Sequence, residues 1–243
     1  MAVQSSTGGT YLSSFPGTNL PNTSSAVTLA GWVNYNGWTT ATTNSMFGMY
    51  NGNATSSITP TTAIQIGSRA VAGQIHVWTW GGARLINTAT GSPVLTNNEW
   101  VHVVYTCTAV SGGNQTRTIY VNGVQAATET NATQIAGALT QVYINGYPQA
   151  GGGTGESGPA IVDDILVFNR ALPISEIQTL YTCRGMRDGI TFGLVARYTF
   201  QEAPSGNVSS CVDYSGSASP LISGAGTPLT YILGYSNQHT RPL

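Results

Sequence analysis

The chain has 243 residues, a formal net charge of −1 at pH 7 and only 7% charged residues, and all eight of its cationic residues are Arg. This balance excludes a basic surface of the kind that binds nucleic acid. The hydrophobic share of 41% is too high for a disordered chain. No apolar stretch approaches the roughly 20 residues that span a bilayer, so we expect a folded protein with a neutral polar surface, no nucleic-acid partner and no membrane insertion.

The first residues carry neither the basic start nor the apolar core of a signal peptide, so the sequence predicts no Sec export. Three cysteines, Cys107, Cys183 and Cys211, allow at most one disulfide. Disulfide-stapled secreted domains are usually much richer in cysteine. Three reduced thiols are therefore the favoured state.

Alternation of apolar and polar residues predicts strands along most of the chain. The first three cover residues 26–35, 74–80 and 100–107. Residues 117–128 then form a hairpin around Asn122-Gly123, because Asn-Gly supplies the positive φ angles of a type I′ turn.

A second Asn-Gly pair, at residues 145 and 146, follows another short strand-like run. Residues 160–169, 192–200 and 228–235 complete the predicted strands.

One segment, near residues 173–182, predicts a helix. Pro173 suits a first helical turn, Glu176 favours a helix N-terminus and Gly185 can end the element. One stripe of the helix carries Ile174, Ile177, Leu180 and Tyr181. Many short strands with a single short helix predict an all-β fold, an antiparallel two-sheet jelly-roll sandwich. The lack of crossover helices excludes a parallel sheet.

Four segments resemble the laminin-G-like branch of the concanavalin A-like jelly rolls in their order and spacing. They are VTLAGWVNYNG (27–37), NNEWVHVVYTCT (97–108), RTIYVNGVQAAT (117–128) and AIVDDILVFNRALPISEIQTLY (160–181). The resemblance covers about residues 10–182 and implies two curved antiparallel sheets of six or seven strands each. It does not determine function, because such domains serve as glycan binders, adhesion modules and virion components.

One feature departs from the family order. Residues 193–219 are similar to the opening strand of such domains, but here they follow the closing motif. We therefore divide the chain into a jelly-roll domain at 1–182 and a C-terminal extension at 183–243. The displaced strand completes its own sandwich, completes a neighbour's sandwich, or is the remnant of a second copy; the first two are favoured.

The resemblance also frames the search for catalysis. Retaining glycosidases of this superfamily need two carboxylates about 5 Å apart, and no such run of acids occurs. Asp163 and Asp164 are adjacent, so in a regular strand they point to opposite faces and are expected to be structural. Structural roles are likewise expected for Trp100, His102, Asn122 and Gly123. The sequence predicts no cofactor, and structural calcium, although possible, is not indicated.

The best candidates for glycan contact lie on the strand at 74–80. His76, Trp78 and Trp80 share one face of it, where Trp rings stack on sugars and His bonds hydroxyls. Arg84 and Tyr147 are further candidates. The alternative is that both Trp rings fill the space between the sheets.

These features predict a non-enzymatic structural or binding protein. The favoured hypothesis is a virion-associated decoration or surface protein of a bacteriophage capsid. Its partners would be copies of itself, the major capsid protein and, in a weak interaction, host glycans. The alternative is a carbohydrate-binding or adhesion module of a secreted or cell-surface protein, with extracellular localisation.

Overall fold

The computed structural model describes most of the chain. The described residues are 2–4, 12–14, 20–21, 25–37, 44–51, 63–68, 74–80, 95–133, 139–148, 154–155, 158, 160–183, 189–200, 206–208, 210–215, 220–223 and 229–232. Within them, no helix has the length and apolar character needed to span a membrane.

A nine-stranded antiparallel sheet forms one layer. Its strands are β1 (Ala2–Gln4), β3 (Val27–Tyr35), β7 (Trp100–Cys107), β8 (Asn114–Val121), β9 (Val124–Thr133), β13 (Ala160–Phe168), β14 (Leu194–Tyr198), β15 (Gly206–Val208) and β18 (Leu229–Ile232). They follow the order β15-β18-β1-β13-β3-β7-β8-β9, and β14 also pairs with β13.

A seven-stranded antiparallel sheet forms the second layer. Its strands are β2 (Leu12–Ser14), β4 (Asn44–Tyr50), β5 (Ala63–Ser68), β6 (Ile75–Trp80), β10 (Gln141–Ile144), β16 (Ser210–Cys211) and β17 (Leu221–Ser223). Their order is β16-β17-β2-β10-β4-β5-β6. A separate two-stranded ribbon pairs β11 (Tyr147–Pro148) with β12 (Thr154–Gly155).

The hydrophobic core lies between the two sheets. Period-two alternation directs every second side chain of each strand inward, and one cluster of buried apolar residues contains members of both sheets. Leu29 and Val33 from β3 share this cluster with Ile64 and Ile66 from β5. The prediction of an all-β, antiparallel two-sheet sandwich with one short helix is confirmed.

The predicted Asn-Gly hairpin is present. Asn122 and Gly123 join β8 to β9 with φ angles of 51° and 76°, as a type I′ turn requires. The predicted strands did not include β4 and β5, although the residues of both alternate. In NSMFGMY and AIQIGS, glycine and short polar residues interrupt the apolar positions and weaken the strand signal.

Helix α1 (Ile174–Thr182) packs on the outer face of the nine-stranded sheet. Ile177 and Leu180 are buried there against Leu166 and Phe168 of β13. Ile174 was predicted to lie on the same stripe, but 43% of it is exposed. As the first helical residue it lies at the rim of the contact, and Gly185 lies outside the described residues.

The helix is held by the motif that precedes it. Arg170 forms a bidentate ion pair with Glu176, with N–O distances of 2.6 and 3.0 Å. On β3, Thr28 Oγ1 donates to the carbonyl of Arg170 and accepts from the backbone N–H of Leu172, at 2.7 and 2.9 Å. These contacts give the closing motif a structural function.

The C-terminal strands pair within the chain. β14 lies antiparallel to β13, while β17 pairs with β2 and β18 pairs with β1. The extra strands give the first layer nine members instead of the six or seven that the resemblance implied. The structure contains one chain, so the division at residue 182 and exchange between copies stay predictions.

Candidate functional site

One face of the seven-stranded sheet is polar and aromatic. Inward side chains of β4, β5 and β10 belong to the hydrophobic core, so the alternate residues lie on the opposite face. We call this the polar face and define it by Tyr50, Gln65, His76, Gln141 and Tyr143. All five are buried.

The strand register arranges this face in rows. One row runs from Tyr143 through Gly48 and Gln65 to Trp78. The next runs from Gln141 through Tyr50 and position 63 to Trp80. Both rows end at β6, the outermost described strand on that side of the sheet.

Tyrosine packing fills the middle of the face. The rings of Tyr50 and Tyr143 meet edge to face with their centroids 5.2 Å apart. Ser45 Oγ lies 3.4 Å from Tyr143 Oη as a hydrogen-bond donor. A Cβ on Gly48 would lie 2.5 Å from that same oxygen, so only glycine leaves space for the Tyr143 ring.

The structure places part of the predicted site. His76 belongs to the polar face, and the backbones of Trp78 and Trp80 occupy register positions on it. The side chains of Trp78, Trp80 and Tyr147, and all of Arg84, lie outside the described residues. Their contact with a ligand stays a prediction.

Sequence reasoning missed Tyr50, Gly48 and Gln65, which lie on the overlooked strands β4 and β5. The sequence signal that could have identified β4 is the alternation of Phe47 and Met49 with Gly48 and Tyr50.

His102 lies beneath the helix in a stack of rings. Its centroid is 4.9 Å from Trp32 and 6.1 Å from Tyr181 of α1. Within the described part of the chain, Nδ1 of His102 has no hydrogen-bond partner. Burial lowers the pKa of His102 to about 3, so the ring is neutral at ordinary pH, and its structural role stays a prediction.

The hairpin turn is tied to the same place. Asn122 Oδ1 accepts from the backbone N–H of His102 at 2.9 Å, and the Asn122 N–H donates to the His102 carbonyl at 2.8 Å. Gly123 lies against Tyr181, which a Cβ would approach to 3.1 Å. Trp100 is half-buried at the start of β7.

Asp163 and Asp164 are both buried, and β13 is not regular where they lie. A β-bulge interrupts the pairing between Asp163 and Leu166, and Asp164 has a φ of 47°. The Asp164 N–H donates to Asp163 Oδ1 at 3.0 Å. The simple alternation assumed from sequence is therefore broken by the extra residue of the bulge.

Arg117 on β8 is a buried polar residue between the sheets. In the strand register it lies opposite Cys107 on β7, which is also buried. Arg117 Nη1 lies 3.9 Å from Glu129 Oε2. Burial raises the pKa of Cys107 and that of Tyr105. The thiol stays protonated near neutral pH and is a poor nucleophile.

Cys107, Cys183 and Cys211 are all free in the structure. Among the described residues, no three His, Cys, Asp or Glu side chains are grouped so that they could hold a metal ion.

A family model decides the classification. The model described as the concanavalin A-like lectin/glucanases superfamily matches residues 6–178. The chain belongs to this superfamily. The predicted resemblance is thereby confirmed at the level of the family, and the two-sheet sandwich is its jelly roll.

Solved structures of other proteins share the fold at low sequence identity. The chain is similar to a native heptameric SAP-like pentraxin from Limulus polyphemus, with 19% identity, a TM-score of 0.55 and 90% of each chain covered. It is also similar to a putative carbohydrate binding protein from Bacteroides ovatus, with 16% identity and a TM-score of 0.63. That match covers 96% of this chain but only 59% of the other. None of the curated proteins matches the sequence.

Proposed function

We propose that this chain is a non-enzymatic glycan-binding module that holds sugars at the β6 end of the polar face. The observation that carries this proposal is the pair of rows that place Trp78 beside Gln65 and Trp80 beyond Tyr50. Aromatic faces stack on apolar sugar faces, and amide groups bond hydroxyls. The similar fold of the Bacteroides ovatus protein supports the same class of function.

Burial determines where on this face a ligand would bind. Tyr50 and Tyr143 are fully buried, and Gln65 is 3% exposed. These residues are therefore covered, and we assign direct contact to Trp78 and Trp80, which lie in the same rows on the outermost described strand. In this role the module acts outside the cell or at its surface.

Glycan binding by the purified chain, measured on an array and then by calorimetry, tests the proposal. Trp78→Ala and Trp80→Ala are each expected to weaken binding at least about tenfold, equivalent to about 1.4 kcal/mol. Tyr214→Ala, which removes a half-exposed aromatic from the C-terminal segment, is the matched control and should bind normally. The proposal fails if no glycan binds, or if both Trp variants, folded by circular dichroism, bind like the wild type.

A second candidate function is that of a bacteriophage capsid decoration protein. It is favoured by the pairing of late strands of the chain with early ones. The C-terminal strands β17 and β18 pair with the N-terminal strands β2 and β1, and such terminal strands suit exchange between copies. The partners would be further copies and a major capsid protein, and the localisation would be the virion.

Native mass spectrometry and microscopy of purified particles test this candidate. A defined oligomer and a copy bound to capsids are the expected results. The capsid candidate would be contradicted if the protein were monomeric at all concentrations and did not bind capsids. That result would leave the glycan-binding proposal unchanged.

A further inference from the structure

One edge of β13 is shared by two strands that follow each other end to end. β1 pairs with Ile161 and Val162, whereas β14 pairs with the stretch from Ile165 to Phe168. Asp163 and Asp164 occupy the gap between the two pairings. We call this gap the β13 seam.

The carboxyl group of Asp164 lies buried in this seam. Asp164 is 3% exposed, and its Oδ2 has no hydrogen-bond partner within the described part of the chain. Asp164 lies in the bulge between the Asp163–Trp32 and Leu166–Ala30 pairs, and its φ of 47° is left-handed. A buried carboxylate without a full set of hydrogen bonds is costly, so ionisation of Asp164 opposes closure of the seam.

We propose that Asp164 is a pH-responsive latch at the β13 seam: β14 packs against β13 while the buried carboxyl group is neutral, and ionisation of that group loosens β14. The edge of β14 that faces away from β13 is hydrogen-bonded to a turn of the C-terminal segment. The Arg197 N–H donates to Asp213 Oδ1 at 3.0 Å, and the Tyr214 N–H donates to the Arg197 carbonyl at 2.8 Å. Loosening β14 therefore also loosens this turn.

The charges that face the latch set its pH range. Asp163 adjoins it on β13, and Arg197 faces it from β14. On β3, Gly31 and Trp32 bring none. Burial raises the pKa of Asp164 from 3.8 to about 7, and the positive charge of Arg197 only partly opposes this.

The direction of the pH effect follows from the thermodynamic linkage between protonation of Asp164 and closure of the seam. In the closed seam the pKa is raised, whereas in the open seam it returns to the ordinary value. The contribution of Asp164 to closure is therefore complete below about pH 4 and is lost as the pH rises through about 7.

Hydrogen exchange of the full chain tests the latch. Protection factors, corrected for the intrinsic pH dependence of exchange, are measured for Leu194–Tyr198 at pH 5, 6, 7 and 8. In the wild type they should fall by up to about tenfold per pH unit between pH 5 and 7 and then level off. In Asp164→Asn, whose amide tolerates the left-handed backbone, this fall should be less than about twofold.

Glu99→Gln removes an exposed acid on another strand connection and should behave like the wild type. A carbon-13 titration of the wild-type aspartate carboxyls keeps the test valid if Asp164→Asn does not fold, because one carboxyl should titrate near neutral pH. The proposal is overturned if β14 protection does not change with pH, if Asp164→Asn shows the wild-type fall, or if every carboxyl titrates below about pH 5.

Discussion

Replacing His102 with Phe is expected to make the protein more resistant to acid than the wild type. Because burial lowers the pKa of His102 from 6.5 to about 3, the folded state resists protonation while the unfolded chain accepts a proton below pH 6.5. The stability that neutral His102 contributes is therefore present above pH 6.5 and is lost as the pH falls towards 3. Between pH 7 and 4 the variant should gain about 3 kcal/mol relative to the wild type.

Urea unfolding at several pH values measures this difference. Phe preserves a ring between Trp32 and Tyr181, and the bonds to Asn122 use only the backbone of residue 102. The quantity to compare is the difference in the free energy of unfolding between His102→Phe and the wild type at each pH. Asp164 is present in both proteins and changes their stability in the opposite direction over part of the pH range, so its effect cancels in this difference. Tyr181→Phe, which keeps the stack and the histidine, is the control. Parallel pH profiles of His102→Phe and the wild type would contradict the assignment.

Replacing Gly48 with Ala is expected to destabilise the protein severely. A Cβ at this position would clash with the backbone carbonyl oxygen of Ile64 and would lie 2.5 Å from Tyr143 Oη. The carbonyl belongs to the neighbouring strand β5 and cannot rotate away, so β4 and β5 must separate or Tyr143 must leave the polar face. We expect a loss of about 3 kcal/mol or more in the free energy of unfolding.

Gly189→Ala provides the matched control. Among the described residues, a Cβ there would meet nothing within 4 Å, and the backbone is not left-handed. This variant should unfold within about 0.5 kcal/mol of the wild type. Thermal and urea unfolding of both variants make the comparison. If Gly48→Ala were as stable as Gly189→Ala, the close packing of β5 and Tyr143 around Gly48 would be contradicted.

The period of two was sufficient to predict most long strands. It located β3, β6, β7 and the β8–β9 hairpin because their residues alternate clearly and an Asn-Gly turn leaves few conformations available. It failed at β4 and β5, where Gly48 and Gly67 occupy positions against which neighbouring groups pack. Glycine carries no hydrophobic signal, so close packing between strands is not visible in the pattern.

The candidate site was only partly accessible to the same reasoning. His76, Trp78 and Trp80 lie two residues apart, and that spacing alone assigns them to one face of a strand. Gln65 precedes the first residue of this strand by 10 positions and Tyr143 follows its last residue by 63, and only the strand register brings both into the same row as Trp78.

The sequence by itself determined the all-β class, the turn at Asn122-Gly123 and the helix before residue 182, because each depends on local backbone preference and short-range periodicity. Only the tertiary structure decided the polar face, the ring stack beneath α1 and the β13 seam. These features depend on which strands become neighbours and in what register. They also depend on a bulge at Asp164, where one residue out of step changes the local environment of a carboxyl group.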